Sequence, residues 1–87
     1  MKVSQTSQFK KDIKKQQKRG KDLSKLKSAI DILLSGQDLP PKYKDHALIG
    51  NWGGHRNCHI EPDWILIYQL REDELRLERT GAHADLF

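Results

Sequence analysis

His46, His59 and His83, together with Asp63 and Arg79, are the side chains of this sequence best suited to moving a proton or balancing phosphate charge. An imidazole titrates near about pH 6.5, so it can give or accept a proton under neutral conditions. Scission of RNA through its own 2′-hydroxyl needs three groups: a base for the hydroxyl proton, an acid for the departing 5′-oxygen, and a cation for the pentavalent phosphate. Histidines with Asp63 and Arg79 supply all three without a metal. A metal site competes poorly. His55 and His59 are four residues apart on an expected strand, a span of about 13 Å, too long for two ligands of one ion. Cys58 alternates to the opposite face from His59 and reads as a small buried hydrophobe. Trp52 and Trp64 are aromatic enough to stack on bases, although a loop anchor and a part-core residue explain them as well.

The elements that must bring these groups together are readable from spacing. Lys2 to Gln5 suits a short first strand, and Thr6 or Ser7 an N-cap for a helix running to about Arg19. Phe9 and Ile13 give that helix a narrow apolar stripe, while Lys10, Lys11, Lys14, Lys15 and Lys18 cover most of the rest. Asp22 caps a second helix, in which Leu23, Leu26, Ile30, Leu33 and Leu34 recur at helical spacing before Gly36. The two helices form an antiparallel hairpin with the leucines towards a sheet. After the Pro40–Pro41 connection, strands are expected at His46 to Ile49, Arg56 to Ile60, Trp64 to Leu70 and Leu75 to Thr80, the last three as a meander. Trp64 to Tyr68 is apolar on both parities and belongs in the middle of the sheet. Arg79 shares parity with Leu75 and Leu77, so it either snorkels out of the core or is re-aimed by a bulge. Phe87 is expected to fold back and fix the loop that carries His83. The fold class is α+β: a helical hairpin on one face of a small, twisted, mainly antiparallel sheet.

Composition bounds the rest. Eighty-seven residues, 36% hydrophobic and 32% charged, make one soluble domain, 1–87, with no room for a large internal cofactor. Neither a signal peptide nor a membrane span is evident, and one cysteine excludes an internal disulfide, so a cytoplasmic location is expected. The charge is lopsided. Met1 to Lys27 holds ten Lys/Arg against two Asp, a net +8, whereas Ser28 to Phe87 holds six against ten acidic residues, a net −4. A polyanion or an acidic protein suits the first third, though a solvated helix face accounts for the charge alone.

Three segments, KDHALIGNW (44–52), CHIEPDWILIY (58–68) and LERTGAHADLF (77–87), closely resemble the YafQ-type toxins of the RelE/ParE superfamily, and FKKDIKK and the helix hairpin extend the likeness over nearly the whole chain. The resemblance implies a ribosome-dependent endoribonuclease that cuts mRNA in the decoding site, without a cofactor. It places the family's functional positions on His46, His59, Asp63, Arg79, His83 and Phe87, with Trp64 beside them as a substrate contact. His83 is then the expected general acid, His46 and Asp63 the base candidates, His59 a tuning or positioning group, Arg79 the phosphate cation and Phe87 a wall of the pocket. Lys10, Lys11, Lys14, Lys15 and Lys18 become candidates for gripping ribosomal RNA phosphates. The implied partner is an acidic ribbon-helix-helix antitoxin, through which alone operator DNA is contacted. A gyrase-targeting relative of the same superfamily, which has no need of the histidines, and a non-catalytic nucleic-acid-binding module are the competing readings.

Overall fold

The computed structural model describes residues 1–87 and lays the chain out as β1 (Lys2–Gln5), α1 (Ser7–Lys18), α2 (Leu23–Leu34), β2 (His46–Ala47), β3 (Arg56–Glu61), β4 (Trp64–Arg71), β5 (Glu74–Gly81) and α3 (His83–Leu86). Single 3-10 turns sit at Pro41–Tyr43 and Gly50–Trp52. Sheet order is β1-β5-β4-β3-β2, so β4 is central as its two-sided apolar pattern requires. β1 pairs parallel to β5 and every other pairing is antiparallel. The expected strand from His46 to Ile49 is shorter than its pattern suggests. Pairing to β3 covers only His46 and Ala47, and the chain then turns through Gly50 at φ +68°.

Both helices start on the expected side-chain caps. The Thr6 hydroxyl accepts the Phe9 amide at 2.9 Å, and Asp22 accepts that of Ser24 at 3.0 Å. Gly36, at φ +79°, follows α2 in the left-handed conformation that suits a helix end. The hairpin covers one face of the sheet, where Phe9, Leu26, Ala29 and Leu33 meet Cys58, Trp64, Leu66, Tyr68, Leu75 and Leu77. Burying Phe9 completely contributes about 2–3 kcal/mol on the area scale, which anchors an otherwise lysine-rich helix.

The opposite face has a smaller apolar cluster: Ile65, Ile67 and Leu86, flanked by Leu48 and Trp52. β4 is therefore covered on both sides, by the hairpin below and by the tail and the 48–52 loop above. Within β5, Ile67 pairs with Arg79 and Tyr68 with Leu77, leaving Glu78 as the extra residue of a bulge. Paired residues share a sheet face, so Arg79 leaves the leucine face and starts from that of Ile67. No helix is long and apolar enough to cross a membrane.

Candidate active site

β3 sorts its side chains by alternation. Cys58 and Ile60 pack with the helices, and Asn57 and His59 take the opposite face, opposite Ile67 and Ile65. His46 pairs with Asn57 and so joins His59 on that face. Asp63 lies in the tight turn between β3 and β4. One turn of helix, α3, follows β5 and seats buried Leu86 on Ile65 and Ile67, which carries His83 and Phe87 over the same area. His46, His59, Asp63, His83 and Phe87 thus converge on one face from two strands, a turn and a short helix.

The closest polar contact is between His83 and Asp63. One carboxylate oxygen accepts the His83 backbone N–H at 3.0 Å and stands 2.8 Å from Nδ1. A carboxylate can only accept, so Nδ1 holds a proton and Nε2 is left for another partner. These bonds hold the Asp63 carboxyl below the usual carboxylate range, the backbone bond contributing most. The His59 and His83 rings meet edge to face at 5.6 Å between centroids. Desolvation lowers the pKa of His59, and positive charge at His83, Lys44 and His46 lowers it further, against a smaller opposing effect of Asp63. The neutral imidazole is thereby favoured, and His59 lies within electrostatic reach of both other histidines. His46 is exposed, with Nδ1 2.9 Å from the Lys44 carbonyl oxygen. That carbonyl likewise fixes the proton on Nδ1 and frees Nε2.

Phe87 folds back as expected. Its amide donates to the His83 carbonyl at 2.9 Å, and its ring lies 6.1 Å from the His83 ring while staying 59% exposed. Cys58 is fully buried, its thiol pushed up to about 12 by desolvation, as a small hydrophobe would be. His55 packs its ring against Trp52 and places Nε2 3.4 Å from Glu78, away from the other three histidines.

Two expectations need correction. Trp64 is wholly buried and its indole N–H donates to the Thr80 hydroxyl at 2.9 Å, so no ring face is open to a base. It supports the end of β5 from within the core and cannot be a substrate contact in this arrangement. Among the lysines of α1, Lys10, Lys11, Lys14 and Lys18 are exposed without a carboxylate partner, but Lys15 bonds to Asp85 at 3.2 Å.

Residues that spacing did not single out hold the site together. Asp12, 4% exposed, accepts Arg79 Nε at 2.7 Å, Arg79 Nη2 at 3.2 Å and the Thr80 amide at 3.1 Å. Arg79 keeps Nη1 for another partner. Asp85 accepts the Ala82 amide at 2.9 Å and Arg19 Nη1 at 2.6 Å, and these bonds, that of Arg19 foremost, hold its carboxyl far below the usual range. The pair ties α3 to α1. A signal for Asp12 and Gln16 was present: Phe9, Asp12, Ile13 and Gln16 stand at i, i+3, i+4 and i+7, one helix face.

A family model described as "Bacterial toxin of type II toxin-antitoxin system, YafQ" matches residues 1–87. The mRNA interferase toxin YafQ of Escherichia coli K12 is 51% identical over 86 residues, 98% of this chain and 94% of the relative. The crystal structure of the E. coli DinJ–YafQ complex superposes with a TM-score of 0.92 at 51% identity, covering 98% of this chain and 96% of that one. That of a metal-bound toxin from Helicobacter pylori gives a TM-score of 0.93 at 40% identity, covering 100% and 99% of the two chains.

Proposed function

The chain belongs to the YafQ family of bacterial type II toxins, and from that premise we propose that it cleaves mRNA on the ribosome by proton transfer between histidines. It is an endoribonuclease of the mRNA-interferase kind, as the named E. coli relative at 51% identity supports. The observation that carries the mechanism is the Asp63–His83 pair. By bonding Nδ1, Asp63 sets the ring so that Nε2 presents the proton of the imidazolium to the departing 5′-oxygen. His83 is the general acid and Asp63 its positioning residue.

The base that takes the 2′-hydroxyl proton is His46. Asp63 is occupied by His83 and has a depressed proton affinity, which suits it poorly to that role. His59 touches His83 edge to face, too closely for a phosphate to sit between the two rings. His46 is oriented by the Lys44 carbonyl, its Nε2 lone pair is free, and His59 separates it from His83. Attack by the 2′-oxygen then forms a 2′,3′-cyclic phosphate as the P–O5′ bond breaks. Arg79 Nη1 offsets the charge on phosphorus, and Phe87 walls the pocket. His59 stays neutral and spaces acid from base.

DinJ–YafQ complexes support an antitoxin partner. For this chain the reading is an acidic ribbon-helix-helix protein, matched to the net +8 of the first 27 residues. Action on ribosomes places it in the cytoplasm. The test is to express the chain without an antitoxin and map mRNA ends. Codon-phased 5′-hydroxyl ends that vanish in His83→Ala support the reading. Intact mRNA with damaged DNA would replace it with a gyrase-targeting one. Cleavage on purified ribosomes whose magnesium is retained, with a transition-metal chelator present, should continue undiminished; its loss would mean that a bound ion takes part.

A further inference from the structure

A basic cleft of about 500 Å³ opens beside His59, lined among others by Lys25, Lys42, Tyr43, Lys44 and Glu61. Most cations on its walls have occupation. Lys25 and Lys21 hold the two oxygens of Glu61 at 2.8 and 2.9 Å, and Lys42 lies 5.3 Å over the Tyr43 ring. Lys44 has no carboxylate within salt-bridge distance and is exposed.

Its backbone is stranger still. Lys44 is the one residue other than glycine at positive φ, with φ 50° and ψ 42°. Glycine or asparagine takes that left-handed conformation with less strain. A lysine there, between the Pro41–Tyr43 turn and β2, holds the backbone so that its carbonyl meets His46 Nδ1 at 2.9 Å. Strain of this kind persists where the surrounding structure enforces it, and it clusters at working sites. The ammonium is also close enough to His59 to help lower its proton affinity.

We propose that Lys44 is a substrate-binding residue: its ammonium takes a phosphate of the RNA strand lying in the cleft, while its left-handed backbone aims the base His46. The inference rests on the nuclease reading above. It also gives the reacting site a second cation beside Arg79, whose Nε and Nη2 are held by Asp12. RNA is thereby expected to run from the cleft, past His59, towards His83.

Single-turnover cleavage of ribosome-bound mRNA by wild type, Lys44→Gly, Lys44→Arg, Lys44→Gln and His83→Ala tests this. Lys44→Gly relieves the strained φ, so its melting temperature should equal or exceed that of the wild type while cleavage slows on the order of 10²-fold. Lys44→Arg should recover much of the rate, and Lys44→Gln should not. On ribosomes carrying 2′-O-methylated mRNA, which cannot be cut, leaving one phosphate without its cation should flatten the log–log salt dependence of binding by roughly 0.7. In the free protein, NMR titration should show the His59 pKa rising in Lys44→Gln. Wild-type cleavage by both Lys44→Gly and Lys44→Gln, with an unchanged salt slope, overturns the proposal while leaving the nuclease intact. Wild-type cleavage by His83→Ala would instead overturn the reading on which it rests. If Lys44→Gly melts early, Lys44→Gln against Lys44→Arg decides.

Discussion

The carboxylate of Asp12 bonds at once to the guanidinium of Arg79 and to the amide of Thr80, joining the first helix to the far end of the last strand. β1 pairs with β5 only as far as Leu77, so the Thr80 N–H lies on an open edge and would be buried without a partner. Asp12 takes the place of a missing strand. Asp12→Ala should therefore lower stability by about 2–3 kcal/mol, through an orphaned amide and an unpaired, three-quarters buried arginine. Urea midpoints measure this, and a shift no larger than that of an exposed alanine substitution would refute it.

The contact between Asp63 and His83 makes a sharper prediction for catalysis than for folding. Asp63→Asn keeps the shape but offers a neutral acceptor and can turn its NH₂ towards Nδ1. Cleavage should fall on the order of 10²-fold, with a melting temperature close to that of the wild type because the group is exposed. The pH–rate profile of the variant should move, since the acid loses its anionic partner. A slower rate with an unmoved profile would argue that Asp63 acts only on structure.

Gly81 reports on the seating of α3. A Cβ there would come within 2.9 Å of Asp85 Oδ2 and 3.1 Å of Asp85 Cβ. Gly81→Ala should cost about 1–3 kcal/mol and reduce cleavage, because the displaced turn carries His83. Combining it with Asp85→Ala should recover part of that cost in a double-mutant cycle. Recovery is incomplete because the Cβ contact remains.

Acid stability follows from the same carboxylates. Asp63, Glu61 and Asp85 all have folded pKa values below their ordinary ones, owing to bonds from His83, from Lys25 and Lys21, and from Arg19 respectively. Depressed values mean that the stability they add is present above the unfolded carboxyl value, about pH 4. It is lost as pH falls through the folded values. Asp85→Asn should flatten the fall in stability below about pH 4, read as urea midpoints across a pH series. An unchanged acid limb would remove Asp85 from that account.

The helix lysines divide into two kinds. Neutralising Lys10 and Lys14 should weaken ribosome binding and lower its log–log salt slope by roughly 0.9 for each phosphate left without a cation, leaving the melting temperature alone. Lys15→Ala removes a bond to Asp85 instead and should act on the placement of His83. Equal effects of Lys10 and Lys15 on binding would erase the distinction.

Much of this was legible in the sequence because it obeys short periods. The leucines of α2, its Gly36 ending and the central position of Trp64–Tyr68 follow from spacing alone, as does the separation of Cys58 from His59. The parts that were not legible depend on contacts across the chain. Nothing in the local pattern says that Leu86 would cover Ile65 and Ile67, or that the indole of Trp64 would be spent on Thr80. Asp12 stands on the buried stripe of α1, yet its partner lies 67 residues away. Lys44 is ordinary as a letter and unusual only as a backbone angle.

The extra residue in the last strand has a consequence for how such a site tolerates change. Leucines before Glu78 point down into the hairpin, and after it the rhythm is inverted, so one strand serves the interior at one end and solvent chemistry at the other. Removing that single residue would leave Leu77 and Arg79 adjacent, opposite Tyr68 and Ile67, an unbroken ladder in which both side chains keep their faces. Loss of a codon there should cost less than loss of one at Arg76, where the missing residue is paired and every side chain after it would change face.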